Sequence, residues 1–228
     1  MNQICERIRA MHGRIQTAAE RFGRRPEDIR LLAVSKTHPA ATVAAALACG
    51  QQAFGENYAS ELTEKAHALE GRDVTWHFIG PIQGNKTRAV AEIAHWVHAV
   101  DRERIARRLS DQRPEALPPL QVCIQVNVSG EASKSGITAA ALPALAETVA
   151  TLPHLQLRGL MAIPAPSEDF DTQRRAFARL RQAREDLIRR GHGLDTLSMG
   201  MSDDLEAAIA EGATLVRVGT AIFGSRSG

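Results

Sequence analysis

Apolar residues recur along the chain with two alternating periods, and that alternation predicts the architecture. Ile4, Ile8, Met11, Ile15 and Ala18 are spaced by three and four, which predicts an amphipathic helix over 2–22 that stops at Gly23. From Ile29 to Thr37 the period changes to two: Leu32, Val34 and Lys36 share one face, and Leu31, Ala33 and Ser35 the other. Both faces are apolar until the last residues, the pattern of a strand buried on both sides in a parallel α/β sheet. The same change of period then repeats. Strands are predicted over 53–57, 75–81, 96–101, 120–129, 155–163, 197–200 and 214–224. Helices are predicted over 40–49, from the second strand to Ala68, and over 85–94, 102–112, 138–151 and 169–190. A short helix before the last strand is read as opened by Asp203 with Glu206 in a capping box. Eight strands, seven of them followed by helical patterns, with short connections and no linker, predict the α/β class: a single (β/α)8 TIM barrel. It is expected to occupy 1–228 as one domain, with an extra N-terminal helix outside. The competitor, a doubly wound open sheet, lacks its marks. No G-x-G-x-x-G follows a first strand, and Gly191-His-Gly193 has Thr196 where a third glycine would stand.

Composition narrows the function classes. With 44% hydrophobic and 24% charged residues the chain has an ordinary globular balance, and a net charge of +2 does not call for a polyanionic partner. The arginine-rich stretch 169–190 interleaves Arg174, Arg175, Arg179, Arg181, Arg184, Arg189 and Arg190 with Glu185, Asp186 and a helical apolar stripe, so it reads as a solvated outer face. No nucleic-acid partner is expected. No run approaches a membrane span, and the start Met1-Asn-Gln-Ile-Cys-Glu-Arg lacks a signal peptide's apolar core; a cytoplasmic protein with no membrane partner is expected. Cys5, Cys49 and Cys123 are odd in number and widely spaced, which predicts reduced, structural thiols.

Candidate chemistry gathers at strand ends. His95 and His98 are an odd number of residues apart on one strand and point to opposite faces, so they do not form a metal pair. No G-x-S-x-G elbow occurs. Lys36 stands at the carboxyl end of the first strand, the end at which α/β barrels bind ligands. Ser198 and Gly200 precede the short helix, and Gly219 and Thr220 belong to the last strand. These are parts for an anion site where barrels frequently hold phosphate.

With these residues assembled, the sequence resembles the pyridoxal phosphate homeostasis proteins, single-barrel relatives of the alanine racemase N-terminal domain. The resemblance covers nearly the whole chain. It is carried by Leu31-Leu-Ala-Val-Ser-Lys-Thr37, Phe54-Gly-Glu-Asn-Tyr58, Trp76-His-Phe-Ile-Gly80 with Gln83 and Asn85-Lys86, and Val126-Asn127 with Lys134-Ser-Gly-Ile137. Leu197-Ser-Met-Gly-Met-Ser202 and Val216-Arg-Val-Gly-Thr-Ala-Ile-Phe-Gly224 complete it. It implies pyridoxal 5'-phosphate (PLP) held covalently as an internal aldimine at Lys36. Ser198, Gly219 and Thr220 would hold the phosphate, Arg217 would face the pyridine nitrogen, and Asn57 and Met199 would line the ring. The chemistry agrees with the residue types, because an imine needs a neutral amine, which lysine supplies and arginine does not. The implied role is a monomeric PLP-binding protein of intracellular PLP homeostasis, without appreciable amino-acid turnover, with PLP-dependent apo-enzymes as possible recipients. The alternative is a racemase or decarboxylase of the same barrel group; a Schiff-base aldolase is a distant third. The racemases take a catalytic tyrosine from an additional β domain, and the few residues after strand eight are expected to be too few to build one.

Overall fold

The computed structural model describes residues 3–130 and 135–224. Eight parallel strands close into a barrel in chain order: β1 (Arg30–Val34), β2 (Ala53–Glu56), β3 (Thr75–Phe78), β4 (Trp96–Val100), β5 (Leu120–Gln125), β6 (Leu155–Met161), β7 (Thr196–Ser198) and β8 (Leu215–Val218). Helices α1 (Gln3–Arg21), α2 (Ala40–Leu47), α3 (Ala59–Ala68), α4 (Thr87–Ile93), α5 (Glu103–Gln112), α6 (Leu142–Ala150), α7 (Phe170–Arg189), α8 (Leu205–Ala210) and α9 (Thr220–Phe223) surround it. The expected barrel with its extra N-terminal helix is the observed one.

Closure explains the two apolar faces of each strand. Leu31, Ala33 and Phe54 join the large core between barrel and helices, together with Val43 of α2 and Leu62 of α3. The N-terminal helix α1 buries Ile8, Met11, Ile15 and Ala18, the stripe expected from spacing, and Arg14 grips Glu206 of α8 through two 2.6 Å hydrogen bonds. The arginine helix α7 buries Phe177, Leu180 and Leu187. Its Arg174 and Arg181 meet the buried carboxylate of Glu211, so part of the expected solvent face is a seam to the end of α8.

Three local expectations need correction. The last predicted strand ends at Val218, and Thr220–Phe223 turns into a helix; a continuous apolar run does not distinguish the two periods over so few residues. The short helix is not opened by a capping box, since Glu206 is taken by Arg14 and the Asp204 carboxylate accepts from the Met201 N–H at 2.6 Å. Cys5 and Cys49 are not free thiols. They form a disulfide with Cα atoms 5.3 Å apart, tying α1 to the end of α2, a proximity that sequence spacing does not show. Cys123 is free and buried, and burial pushes its thiol up to about 12.

Candidate functional site at the barrel mouth

The register sets the site. Leu32 of β1 lies opposite Arg217 of β8, and Val34 lies opposite Gly55 of β2. Lys36, two residues past Val34, therefore emerges at the carboxyl end, on the side of the strand that carries Arg217's neighbours. A cavity of about 510 Å³ opens there. Val34, Lys36, Asn57, Arg217, Gly219 and Thr220 all line it. The volume is in the ordinary range for small-molecule sites.

Lys36 is half-buried, and among the described residues its amine has no hydrogen-bond or ion-pair partner. Its backbone is less free. The next residue, Thr37, has φ of 66°, an unusual conformation for a β-branched residue that persists only where the surroundings enforce it. The Thr37 N–H donates to Glu61 at 2.7 Å, and the carbonyl of Ser35 accepts from Lys65 at 2.8 Å.

Arg217 is buried with its fork committed to oxygen acceptors. It donates to the Ser198 carbonyl at 2.6 Å, to the Ser198 hydroxyl at 2.8 Å and to the Ala162 carbonyl at 2.9 Å. Burial lowers it to about 10, so it remains a cation at neutral pH. Behind it the barrel interior is polar. Ser198 Oγ lies 2.7 Å from His98 Nδ1, and His98 Nε2 lies 2.9 Å from His77 Nδ1. Arginine only donates, so the assignment that leaves each proton an acceptor runs from Arg217 to Ser198, from Ser198 to His98, and from His98 to His77. Burial holds both imidazoles neutral, His77 at about 3 and His98 well below the usual imidazole range. His77 stacks on Trp96, with ring centroids 5.5 Å apart. His95, by contrast, is exposed, with Nδ1 accepting from the Trp76 N–H at 3.0 Å.

Gly219 and Thr220 form the first residues of the α9 turn, whose leading N–H groups have no partner within the turn. The wall on the other side depends on Gly80. A Cβ there would stand 2.2 Å from the Asn57 carbonyl oxygen, so only glycine lets the segment after β3 pass over Asn57.

The sequence-predicted set is thus divided. Lys36, Asn57, Arg217, Gly219 and Thr220 meet at one cavity. Ser198 does not line it: its hydroxyl is spent on Arg217 and His98, so it supports the guanidinium from below. Met199 is fully buried in the core, its N–H bonded to the Leu215 carbonyl, and it is Met201 that reaches the cavity. The alternation of strand faces does not extend to Met199 because β7 ends at Ser198, and Gly200 then turns with φ of 94°. Ser202, Asp203 and Gln125 also line the cavity and were missed, as were His77 and Lys65. The hydroxyl in Met201-Ser-Asp203 was the signal available for Ser202. Lys134 lies outside the described residues.

These features define a single-barrel protein with a cationic, amine-bearing mouth. The model of the family described as alanine racemase, N-terminal domain, matches residues 7–227. A pyridoxal phosphate homeostasis protein of Pseudomonas aeruginosa is 60% identical over 226 residues, covering 99% of this chain and 97% of that protein. Its namesake in Escherichia coli K12 is 54% identical over 229 residues, covering 99% and 98%. The chain belongs to the pyridoxal phosphate homeostasis protein family, within the alanine racemase N-terminal group. Among solved structures, PipY of Synechococcus elongatus PCC7942 with PLP bound superposes with a TM-score of 0.85 at 36% identity, covering 97% of this chain and all (100%) of that one. Alanine racemase of Corynebacterium glutamicum gives 0.71 at 16% identity, covering 100% of this chain and 62% of that one, a likeness of fold alone.

Proposed function

We propose that the protein binds pyridoxal 5'-phosphate at the barrel mouth with Lys36 as the point of covalent attachment, and serves cytoplasmic PLP homeostasis without turning over amino acids. The observation that carries this reading is the convergence on one cavity of the Lys36 amine, unpartnered among the described residues, the buried Arg217 guanidinium, and Gly219 and Thr220 at the opening of the α9 turn. That donor set fits PLP, which carries an aldehyde, a phosphate and a basic ring nitrogen. The similarity to PipY, whose structure has PLP bound, supports the same assignment.

When bound, PLP supplies an aldehyde that condenses with a primary amine, releasing water, and a ring that withdraws electrons. The protein's contribution is placement and charge. Lys36 offers the amine; Gly219 and Thr220 offer backbone and hydroxyl donors to the phosphate; Asn57 bounds the ring. Arg217, a cation with no carboxylate in hydrogen-bonding contact among the described residues, would face the ring nitrogen, where it would disfavour a second proton and keep electron withdrawal weak. Ser198 and His98 fix Arg217 in that orientation. An accessible mouth suits reversible loading, with PLP-dependent apo-enzymes as recipients and the protein acting as a monomer.

Borohydride reduction of the PLP-treated protein, followed by peptide mapping, tests the attachment. The pyridoxyl group is expected on the peptide holding Lys36, and Lys36→Ala is expected to lose the visible absorbance of the bound cofactor. Label on Lys86 or Lys134, or undiminished absorbance in Lys36→Ala, would overturn the assignment.

A further inference from the structure

We infer that Glu61 and Lys65 of α3 form a clamp that positions Lys36 for covalent capture of the cofactor, acting through the backbone on either side of it. The inference rests on the reading of Lys36 given above.

Lys65 is 3% exposed, rare for a lysine, and all three of its donors are used. One goes to the Ser35 carbonyl at 2.8 Å, one to Glu56 Oε1 at 2.8 Å, and one to Glu61 Oε2 at 2.9 Å. The same Glu61 oxygen accepts the Thr37 N–H at 2.7 Å, and the Ser35 hydroxyl donates to Glu56 Oε1 at 2.6 Å. The peptide groups before and after Lys36 are therefore both tied to one ammonium–carboxylate cluster, centred on the buried Lys65 and reaching Thr37 through the partly exposed Glu61, while the Lys36 amine is unpartnered among the described residues. The base of the side chain is fixed and its tip is free. Thr37 at φ of 66° marks where that fixing is applied, since the hydrogen bond to Glu61 holds a conformation that a threonine would otherwise leave.

The cluster does more than stabilise α3 against β2. A pair serving only that purpose needs Lys65 and Glu56; the bonds to Ser35 O and Thr37 N bring in the Lys36 turn from both sides. Electrostatics agree with this division of roles. Burial works against the charge of Glu61, but Lys65 and the Thr37 N–H outweigh it and hold its carboxylate below the ordinary range. For Glu56 burial prevails over Lys65 and Ser35 and raises it, and its Oε2 has no partner among the described residues. Glu61 is thus the firmly ionised arm, and it is the arm that reaches Thr37.

The test separates capture from binding. Pyridoxine 5'-phosphate carries the same ring and phosphate with an alcohol in place of the aldehyde, so it reports the pocket without the covalent step. Glu61→Leu is expected to bind it within about twofold of wild type, yet to attach PLP roughly tenfold or more slowly by stopped-flow absorbance, the size of loss that small misplacement of a reacting group produces. Glu61→Gln keeps an oxygen for the Thr37 N–H and should recover most of the rate. Lys65→Met, checked for folding by thermal melting, should be slowed like Glu61→Leu. Wild-type rates in Glu61→Leu, or parallel losses of pyridoxine 5'-phosphate binding and PLP attachment, would overturn the clamp. Failure of wild type itself to attach PLP at Lys36 would instead reject the cofactor reading.

Discussion

Thr220 is the residue whose role is most open to a single substitution. It stands at the first position of the α9 turn and lines the cavity with Lys36, so its hydroxyl is available to an anion held by that turn. Thr220→Val keeps the shape and removes the donor. Weakening of PLP retention by about 1–3 kcal/mol is expected, the worth of one hydrogen bond to a charged group. Equilibrium dialysis measures it, and equal affinity of the two proteins would place the phosphate elsewhere. At this scale the sequence was informative where a residue's type and its strand position pointed the same way: Lys36 and Arg217 are basic side chains near the carboxyl ends of adjacent strands, and both line the cavity. It was uninformative where a side chain's partners decided its role. Ser198 was legible as a hydroxyl at a strand end, but only its contacts with His98 and Arg217 turn it from a ligand-facing group into a support. Lys65 carried no signal at all, since a lysine in a helical stretch normally means solvent, and what lets it be buried is its ion pair at 2.8 Å with Glu56, the last residue of β2.

Among the elements, α1 and α2 are joined by the Cys5–Cys49 disulfide, which closes a chain segment with a sequence separation of 44. The chain-entropy account of such a loop gives about 4 kcal/mol of stabilisation. Cys5→Ser is therefore expected to lower the urea midpoint of the oxidised protein and to match wild type once both are measured in excess reductant. A midpoint in Cys5→Ser equal to that of oxidised wild type would show that the link adds no stability. The pairing was hidden because it depends on how the N-terminal helix lies across the barrel, a packing angle that periodicity does not encode. The strands and helices themselves were legible, since the apolar period switches between two and three-to-four at nearly each boundary. Strand ends were less legible: β3, β5 and β6 stop at Phe78, Gln125 and Met161, short of the expected 81, 129 and 163, and β8 overran furthest, because Ala221, Ile222 and Phe223 continue its apolar run into the α9 turn.

For the whole molecule, the polar barrel interior makes stability depend on pH. His77 and His98 are neutral and buried in the folded protein, at about 3 and well below the usual range, whereas in the unfolded chain each titrates near the ordinary imidazole value of about 6.5. Above that value neither state binds a proton at these groups, and they do not affect the balance. Below it the unfolded chain takes up protons that the folded barrel refuses, so stability falls as pH drops, by up to about 1.4 kcal/mol per pH unit for each histidine. The fall should extend from about pH 6.5 down towards the folded value of His77. Urea unfolding between pH 7 and pH 4 reads it, and His77→Gln should flatten the slope. A slope unchanged by that substitution would mean that His77 is already solvated.

The proposed lack of amino-acid turnover also belongs to the whole site, and it rests on what the cavity presents to a bound amino acid. Racemisation on PLP needs an acid/base on each face of the Cα, so that a proton removed from one side is returned on the other. Lys36 can serve one face. The lining of the described mouth includes no tyrosine: Tyr58, the sole tyrosine of the chain, is 55% exposed and does not line the cavity. In the proposed binding mode Arg217 would face the ring nitrogen and weaken the electron sink that Cα–H cleavage uses. The mouth is also bounded by the half-exposed apolar side chains of Ile163 and Met201. The proposed carrier role expects water and free amines to reach the attachment point, which favours loading and release over protected carbanion chemistry. Holo protein incubated in deuterated water with alanine, serine and a few other amino acids is expected to show no appreciable Cα exchange and no change of enantiomer ratio. Exchange at rates on the order of 1 per second or faster, those of ordinary enzymes, would reject the carrier reading and make this barrel a racemase or decarboxylase.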